Sequence, residues 1–279
     1  MALQFIEDLD RIEEALASGE PFIVAFSVDE ANKIRRLEEF VDRLSMFAPL
    51  AGKSCFLKPN MVSSELYPTT TDPEVLRFVL NRLRGSCSRI GVADSPAQGA
   101  MDMYEHPVAK VCKDLDVEFL DLRGTRTGLM GKTPVHEYPL EFDSIVSLPI
   151  LKEHFVCGMT FALKNNFGFT DRGIRMKLHM WPKKLDRVIA QLHGEYPVDL
   201  VIGDACRTMR KAQERRWGGV EDILGLFFLS NAPLELDILA RKLFPKKRVR
   251  HLGFAREMYG EKDAIVWVEE GLRDLLQSE

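Results

Sequence analysis

Cysteine is scarce in the sequence: the 279 residues contain five cysteines, and no two of them form a Cys-x-x-Cys pair. An odd number of widely spaced cysteines argues against a disulfide framework or an iron–sulfur cluster and favours reduced thiols. The sequence also lacks an apolar run of roughly 18 residues, which a membrane-spanning helix needs. Its first residues lack the basic and then apolar order of a signal peptide. We therefore expect a cytoplasmic protein.

Common active-site motifs are also missing. The chain contains no Gly-x-Gly-x-x-Gly, no Gly-x-x-x-x-Gly-Lys-Ser/Thr and no Gly-x-Ser-x-Gly, which argues against the usual nucleotide-binding loops and against an α/β-hydrolase. The nearest approach to a phosphate loop, Gly131-Lys132-Thr133, has Arg126 where the first glycine should stand. The formal net charge is -4, and no long block of like charge occurs. We therefore expect neither nucleic acid nor a membrane as a partner.

What the sequence does contain is an alternation of apolar strands and amphipathic helices. The predicted strands cover residues 22–26, 55–57, 89–95, 117–122, 144–149, 199–204 and 225–230. The predicted helices cover residues 4–17, 31–47, 73–85, 233–244 and 264–276. This order predicts an α/β fold, with a mainly parallel sheet covered by helices on both faces, in a single large domain. The least regular stretches, 97–135 and 207–223, are the best candidates for lids or loops.

One helix is marked at both ends by its residues. Asp72 suits the N-cap position and Pro73 the first helical position. Gly85 can adopt the left-handed conformation that commonly ends a helix. The sequence therefore predicts a helix that begins at Pro73 and ends near Gly85.

Polar side chains follow several of the apolar strands. They are Lys58, Asn60, Asp94, Ser95, Lys152, His154 and Asp204. In a parallel sheet the carboxyl ends of the strands lie on one edge, where ligands bind, so these residues should converge. Taken singly, each residue has the alternative interpretation of an ordinary polar residue at a strand exit. For the set as a whole we favour a site.

A second signal is the segment that holds Lys164, Asn165 and Asn166 between apolar residues. Such a frame would anchor the segment and turn the lysine and amide donors toward a ligand. Gly168 permits a close approach of the backbone. The alternative is a capped helix end with an asparagine-rich turn.

The residue types favour an anionic ligand, because lysines and amides bind phosphate or carboxylate through charge-assisted hydrogen bonds. The helix after Thr71 also presents an amino terminus that favours an anion. The predicted ligand-binding residues are Lys58, Asn60, Thr71, Lys152, Lys164, Asn165, Asn166 and Lys177. The predicted catalytic residues are His154, His179, Asp94 and Asp204. The histidines would carry protons near neutral pH, and the aspartates would orient them or hold a hydrated Mg²⁺ beside a phosphate.

A transition-metal site is a weaker alternative. His154, Cys157, His179 and Cys206 offer nitrogen and sulfur ligands. Their spacing matches no zinc pattern, and lone buried cysteines are usually core residues. We assign no metal site, and the sequence identifies no cofactor.

Taken in order, the motifs resemble those of a known family. They are Lys58-Pro59-Asn60, Thr71-x-Pro73-Glu74-Val75, Gly91-x-x-Asp94-Ser95, Leu148-Pro149-x-x-Lys152-x-His154, Leu163-Lys164-Asn165, Lys177-x-His179, Asp204, and the helix opening from Ser230 to Asp237. Each motif alone is weak. The ordered set resembles the domain of unknown function 362 family over residues 53–245.

The resemblance implies an α/β domain with a shared site at the matched positions. Asp237 is a further candidate on this ground, with a carboxylate on a helix surface as its alternative. Many family members also carry ferredoxin-like cysteine runs that bind four-iron clusters; this sequence contains none, so we carry no cluster over. We expect one domain over residues 1–279, with an N-terminal helix-strand-helix part (1–50), a family-like core (53–245) and a C-terminal extension (246–279).

These features lead to two hypotheses about function. The first is a small-molecule enzyme that acts on an anionic metabolite, phosphorylated compounds included. The alternative is a non-catalytic ligand-binding or accessory protein for a redox or iron–sulfur partner. The expected partner is an anionic small molecule. The sequence is also compatible with a homo-oligomer.

Overall fold

The computed structural model describes residues 3–97 and 101–277. In these ranges the strands are β1 (Leu3–Ile6), β2 (Phe22–Ser27), β3 (Ser54–Pro59), β4 (Arg89–Asp94), β5 (Glu118–Asp121), β6 (Thr127–Met130), β7 (Thr133–His136), β8 (Ser144–Leu148), β9 (Ile150–His154), β10 (Gly158–Thr160), β11 (Leu200–Arg210), β12 (Val220–Ser230) and β13 (Ala264–Val268). The helices are α1 (Asp10–Ser18), α2 (Lys33–Arg43), α3 (Pro73–Leu83), α4 (Pro107–Asp114), α5 (Ala162–Asn165), α6 (Arg172–His179), α7 (Pro182–Glu195), α8 (Pro233–Ala240), α9 (Arg250–Tyr259) and α10 (Arg273–Gln277).

One mixed sheet organises the fold, in the strand order β1-β13-β2-β12-β11-β8-β3-β4-β5. Strand β9 pairs with β11 and with β10. Strands β6 and β7 form a separate two-stranded hairpin. Strands β3, β4, β5 and β8 pair in parallel, as do β13 with β1 and β2. Strand β12 runs antiparallel to both β2 and β11. The prediction of a mainly parallel sheet is confirmed.

The two faces of the sheet carry two hydrophobic cores. Strand β2 contributes to both, because its side chains alternate: Ile23 and Ala25 enter one core, while Phe22, Val24 and Phe26 enter the other. Buried residues of α1 to α4 pack on the face of Phe22, and buried residues of α5 to α10 pack on the face of Ile23. Helices therefore cover both faces, as predicted for a single α/β domain.

Helix α3 forms where its end signals place it. The Asp72 side chain accepts a hydrogen bond from the backbone N–H of Glu74 at 2.9 Å, and Pro73 opens the helix. The helix ends at Leu83, and Gly85 has a φ of 84°. Since a positive φ is strained for residues with a Cβ, glycine suits this turn.

Both ends of the chain differ from the helices expected there. Leu3–Ile6 is a strand and the first helix begins only at Asp10, while Ala264–Val268 is a strand and the last helix begins at Arg273. The two terminal strands pair in parallel with each other. A short apolar run fits a strand or a buried helix equally well, so only the long-range pairing decides between them.

The two stretches expected to be irregular contain regular structure. Residues 98–100 of the first stretch lie outside the described residues; its remainder includes α4, β5, β6 and β7. The second stretch is mostly hairpin, because β11 continues to Arg210 and β12 begins at Val220. The turn between them, residues 211–219, contains a short 3-10 helix at Arg215–Trp217. Within the described ranges, every helix is too short or too polar to cross a membrane.

Candidate functional site

A cavity of about 380 Å³ lies at the carboxyl ends of β3, β4 and β9. Helices α5 and α6 and the turn 211–219 also contribute to its wall. Two thirds of the predicted site residues line it, namely Lys58, Asn60, Asp94, Lys152, His154, Lys164, Asn165 and His179. The lining includes six lysine or arginine side chains and two carboxylates. The cavity is therefore predominantly cationic.

A buried ion pair forms the floor between β3 and β4. Lys58 Nζ lies 2.7 Å from Asp94 Oδ1, and the two side chains are 1% and 4% exposed. The carboxylate also accepts hydrogen bonds from the backbone N–H groups of Met61 at 2.6 Å and Ser95 at 2.7 Å. Burial lowers the pKa of Lys58, and the charge of Asp94 opposes that shift. Asp94 is thus occupied by Lys58 and the backbone and does not orient a histidine.

Gly168 closes over this ion pair. A Cβ atom at this position would lie 2.4 Å from Asp94 Oδ1 and 2.9 Å from Lys58 Nζ. Any other residue would therefore have to displace one of the two charged groups. The backbone of Gly168 therefore lies close to the side chains of Lys58 and Asp94, and this is the close approach expected at Gly168.

Lys152 is the second buried cation, at 1% exposure. Its ammonium donates to Asn60 Oδ1 at 2.8 Å and to the backbone carbonyl of Thr69. The Asn60 amide in turn donates to Asn165 Oδ1 at 3.2 Å. Burial lowers the pKa of Lys152 to about 7. Its charge therefore changes near neutral pH.

His154 is fixed in one neutral tautomer. Its Nδ1 accepts hydrogen bonds from the backbone N–H groups of Val156 at 3.1 Å and Cys157 at 3.2 Å. Two donors at Nδ1 require a lone pair there, so the proton of the neutral ring sits on Nε2. Burial, followed by the charge of Lys164, lowers the pKa of His154 well below its usual value. The geometry therefore favours a hydrogen-bond donor toward the cavity over the expected proton carrier.

His179 has the opposite tautomer. Its Nδ1 lies 2.7 Å from the carbonyl oxygen of Arg175, an acceptor, so Nδ1 carries the proton and Nε2 keeps its lone pair. Burial and the charge of Lys164 lower the pKa of His179. The rings of His179 and His154 stack with centroids 6.0 Å apart. The pair thus combines one Nε2–H donor with one Nε2 acceptor.

Helix α6 adds two cations that the sequence analysis missed, Arg172 and Arg175. Arg175 is 6% exposed, and its guanidinium donates to the backbone carbonyl of Ser95 at 2.6 Å and to the Ser95 hydroxyl. Residues 172, 175, 176 and 179 share one face of the helix, because side chains three or four positions apart are neighbours. The helical period starting from His179 was the signal that could have found Arg175.

The turn 211–219 covers the cavity with residues that the sequence analysis also missed. Gln213 and Glu214 are buried, whereas Trp217 is 58% exposed beside Phe155. Three buried polar atoms of the lining have neither a hydrogen bond nor an ion pair in the described part of the chain: Thr160 Oγ1, Gln213 Oε1 and Arg175 Nε. Buried polar atoms are rarely left unpaired, so these three atoms are candidates for contacts with a ligand.

Three predicted ligand-binding residues lie outside the cavity lining. Thr71 accepts from the Asn60 backbone N–H at 2.7 Å and donates to the carbonyl of Leu148 at 2.8 Å, so it joins two strand ends. Asn166 donates to the carbonyl of Tyr196 at 3.1 Å. Lys177 is exposed, two positions from His179 on α6 and therefore off the face of that helix that lines the cavity.

Asp204 also lies apart from the cavity. Strand β11 does not end there but continues to Arg210, so Asp204 is an interior strand residue. Its carboxylate accepts hydrogen bonds from the Tyr67 hydroxyl at 3.2 Å and the Cys206 backbone N–H at 2.8 Å. Burial raises its pKa to about 7. Asp94 lines the cavity and Asp204 does not, so the two carboxylates are not placed to hold a magnesium ion together.

Asp237, suggested by the family resemblance, is buried and not on the surface of its helix. Its carboxylate accepts the backbone N–H groups of Ala162 at 2.8 Å and Leu163 at 3.1 Å, the first two residues of α5. Burial raises its pKa to about 7. Asp237 therefore positions the short helix that carries Lys164.

The nitrogen and sulfur ligands considered for a metal are not assembled. Cys206 contacts Glu30 with its thiol at 3.4 Å, on the side of Asp204. Throughout residues 3–97 and 101–277, no group of three or more His, Cys, Asp or Glu side chains is arranged to hold a metal ion.

Over 137 residues, the chain is 27% identical to a thylakoid-associated protein of Synechocystis sp., a match that covers 46% of this chain and 43% of that protein. A crystal structure of a protein from Thermotoga maritima has 13% identity and a TM-score of 0.47, covering 76% of this chain and 59% of the other. The matches thus span less than two thirds of the length of either protein.

The family model described as a domain of unknown function, DUF362, matches residues 55–242. The match includes every residue that the sequence analysis proposed for the site. It does not include strands β1, β2 and β13, which form one edge of the sheet. This chain belongs to the DUF362 family.

Proposed function

We propose that the cavity binds a small anionic molecule and that the protein is an enzyme that moves a proton on this molecule. The observation that carries the proposal is the joint presence of buried cations and two histidines in complementary tautomers. The cations would hold a carboxylate or phosphate. The histidines would act on an oxygen-bearing carbon next to it.

Anion binding is supported by the cations of the cavity that have no carboxylate partner. Lys58 is neutralised by Asp94, but Lys152 and Arg175 donate only to uncharged oxygens. Lys164 makes no hydrogen bond or ion pair within the described residues. Buried charges without a counter-charge are unfavourable, so an anion would stabilise the site.

Proton transfer is supported by the histidine pair. The Nε2–H of His154 would donate to a carbonyl or hydroxyl oxygen, and the Nε2 lone pair of His179 would accept a proton. Both pKa values are lowered, chiefly by burial, so both rings are neutral at pH 7. A neutral donor that polarises an oxygen and a neutral base beside it suit proton abstraction next to a carbonyl group.

Thermal-shift titration with oxalate, inorganic phosphate and sugar phosphates tests the binding half. A ligand that binds the native state raises its stability through mass action. We expect Lys164→Ala to weaken binding about tenfold to a hundredfold, since a charge-assisted hydrogen bond contributes about 1.5–3 kcal/mol. Lys177→Ala is the matched control, because Lys177 is exposed on the neighbouring helix. Equal affinity of both variants would reject the cavity as the binding site.

Solvent deuterium exchange into 2-oxo acids tests the catalytic half. We expect the protein to accelerate exchange at the carbon beside the carbonyl, and His179→Gln to abolish the acceleration while it retains oxalate binding. Binding without exchange or any turnover over the panel would reject the enzyme and leave the non-catalytic binding or accessory role.

We also propose a cytoplasmic location, which is supported by the five free thiols. The relative in Synechocystis is named for its association with thylakoids. Fractionation of cells tests the proposal, and recovery of the protein in the membrane fraction at high salt would contradict it.

A further inference from the structure

Three lysines line the cavity, and two of them are engaged by the protein. Lys58 pairs with Asp94 at 2.7 Å and donates to the carbonyl of Pro59 at 2.7 Å. Lys152 donates to Asn60 and to a backbone carbonyl. In both cases the nitrogen is held by oxygen acceptors of the protein. Neither amine is free to attack a ligand.

Lys164 differs from both. Its Nζ has no hydrogen-bond acceptor or carboxylate partner within residues 3–97 and 101–277, and it lies over the face of the Phe167 ring, 5.3 Å from the ring centroid. The side chain lines the cavity and is partly buried. The backbone beneath it is fixed, because Asp237 binds the first two N–H groups of α5. The structure therefore holds an unengaged amine at a defined place.

The surroundings of Lys164 make its ammonium easier to deprotonate than that of an exposed lysine. Burial lowers its pKa, and the positive charge of Arg175 acts in the same direction. The negative charges of Glu214 and Asp186 oppose the shift. Neutral amines are nucleophilic, and enzymes obtain them by desolvation or by a neighbouring cation.

We propose that Lys164 is a nucleophile that forms an imine with the aldehyde or ketone group of an anionic substrate. This inference rests on the proposed function and deepens it, because it narrows the substrate class to anions that carry a carbonyl group. The other cations would hold the carboxylate or phosphate, while the carbonyl carbon meets the amine.

The reaction balances without an oxidant or reductant. The nitrogen lone pair attacks the carbonyl carbon, a C–N bond forms, and the carbonyl oxygen takes up the proton that leaves nitrogen. The carbinolamine then loses its hydroxyl group and the remaining N–H proton together as water: the C–O bond breaks and a C=N bond forms, which gives the imine. His154 would donate a hydrogen bond to the carbonyl oxygen, and His179 would relay protons. Hydrolysis of the imine returns the free amine.

Reductive trapping with glyoxylate tests the inference. Glyoxylate is a small anionic aldehyde, and cyanoborohydride reduces its imine with lysine to a stable carboxymethyl amine that peptide mass spectrometry locates. We expect Lys164 to be modified at least about tenfold faster than the exposed Lys177, since binding raises the effective concentration of the aldehyde. Oxalate should protect Lys164. Acetaldehyde, which has no charge, should show no such preference.

Variants separate the nucleophile from the charge. Lys164→Arg keeps the positive charge and should retain oxalate binding while it loses the trapped adduct in the cavity. Lys177→Arg should keep the adduct at Lys164. Melting temperatures of both variants, compared with the wild type, establish that they are folded.

The outcomes distinguish this inference from the function on which it rests. If oxalate stabilises the protein but glyoxylate labels Lys164 no faster than Lys177, the imine is rejected and anion binding stands. If oxalate neither stabilises the protein nor protects Lys164, the anion site is rejected as well. Fast labelling of Lys164 that oxalate does not block would also overturn the inference, because the aldehyde would then react outside the anion site.

Discussion

We expect Asp94→Asn to destabilise the folded protein strongly. It keeps the shape of the side chain but removes the charge that faces Lys58 at 2.7 Å. At an effective dielectric constant of about 20, two charges at this distance attract each other by about 6 kcal/mol. The attraction is partly offset by the desolvation of both groups. Removing one partner of a buried pair typically costs about 3–5 kcal/mol, because the other charge is left buried and unpaired.

We therefore expect Asp94→Asn to lower the free energy of unfolding by about 3–5 kcal/mol, a large share of the roughly 5–15 kcal/mol of a typical domain. Urea denaturation followed by circular dichroism measures this. Asp114→Asn is the matched control: Asp114 pairs with Arg77 at the same 2.7 Å, but the side chains are 57% and 43% exposed. Exposed pairs contribute about 0–1 kcal/mol.

The pH dependence of the same variant provides a second check. Burial already lowers the pKa of Lys58, and loss of the carboxylate removes the main interaction that opposes this shift. The folded variant therefore releases the proton of Lys58 at lower pH than the unfolded chain does. The free energy of unfolding of the variant should therefore rise with pH between these two pKa values. The destabilisation caused by Asp94→Asn should then be smaller in alkaline buffer. A loss below about 1 kcal/mol, or one equal to that of Asp114→Asn, would refute the reasoning.

Three further predictions concern other parts of the chain. Gly168→Ala should lower the melting temperature, because the new Cβ would lie 2.4 Å from a carboxylate oxygen of the buried ion pair; Gly253→Ala, in a helix with no atom within 4 Å of the new Cβ, should be neutral or stabilising by up to about 1 kcal/mol. Oxalate affinity, measured by calorimetry, should fall as pH rises through about 7, where Lys152 loses its proton, and Lys152→Met should flatten this dependence; a profile unchanged in the variant would argue against the assignment. The Sγ atoms of Cys55 and Cys87 lie 3.1 Å apart, so oxidised glutathione in excess should link them with release of two reduced glutathione molecules; peptide mapping that finds only mixed disulfides would contradict this.

The central part of the fold follows from the sequence because its signals are local. Helix α3 has a capping aspartate, a proline in its first turn and a glycine after its end, and the structure uses all three. The terminal strands could not be predicted in this way. Leu3–Ile6 pairs with Ala264–Val268 from the opposite end of the chain, and Ala264–Val268 also pairs with β2, so both depend on long-range pairing that no local signal shows.

The site was predictable where a strand ends and not where a strand continues. Lys58 and His154 lie at or near the ends of β3 and β9, and both line the cavity. Asp204 follows an equally apolar run, but its strand continues for six residues more to Arg210, a length that no local signal revealed. Arg175 was missed for a different reason, since its role depends on which face of α6 meets the cavity.

Calorimetric titration of the wild type, Lys164→Ala and Lys177→Ala with oxalate at pH 6 tests the central claim most directly. We expect one oxalate to bind per chain, with an affinity at least about tenfold weaker in Lys164→Ala and an unchanged affinity in Lys177→Ala. No binding by the wild type, or equal binding by all three proteins, would contradict it.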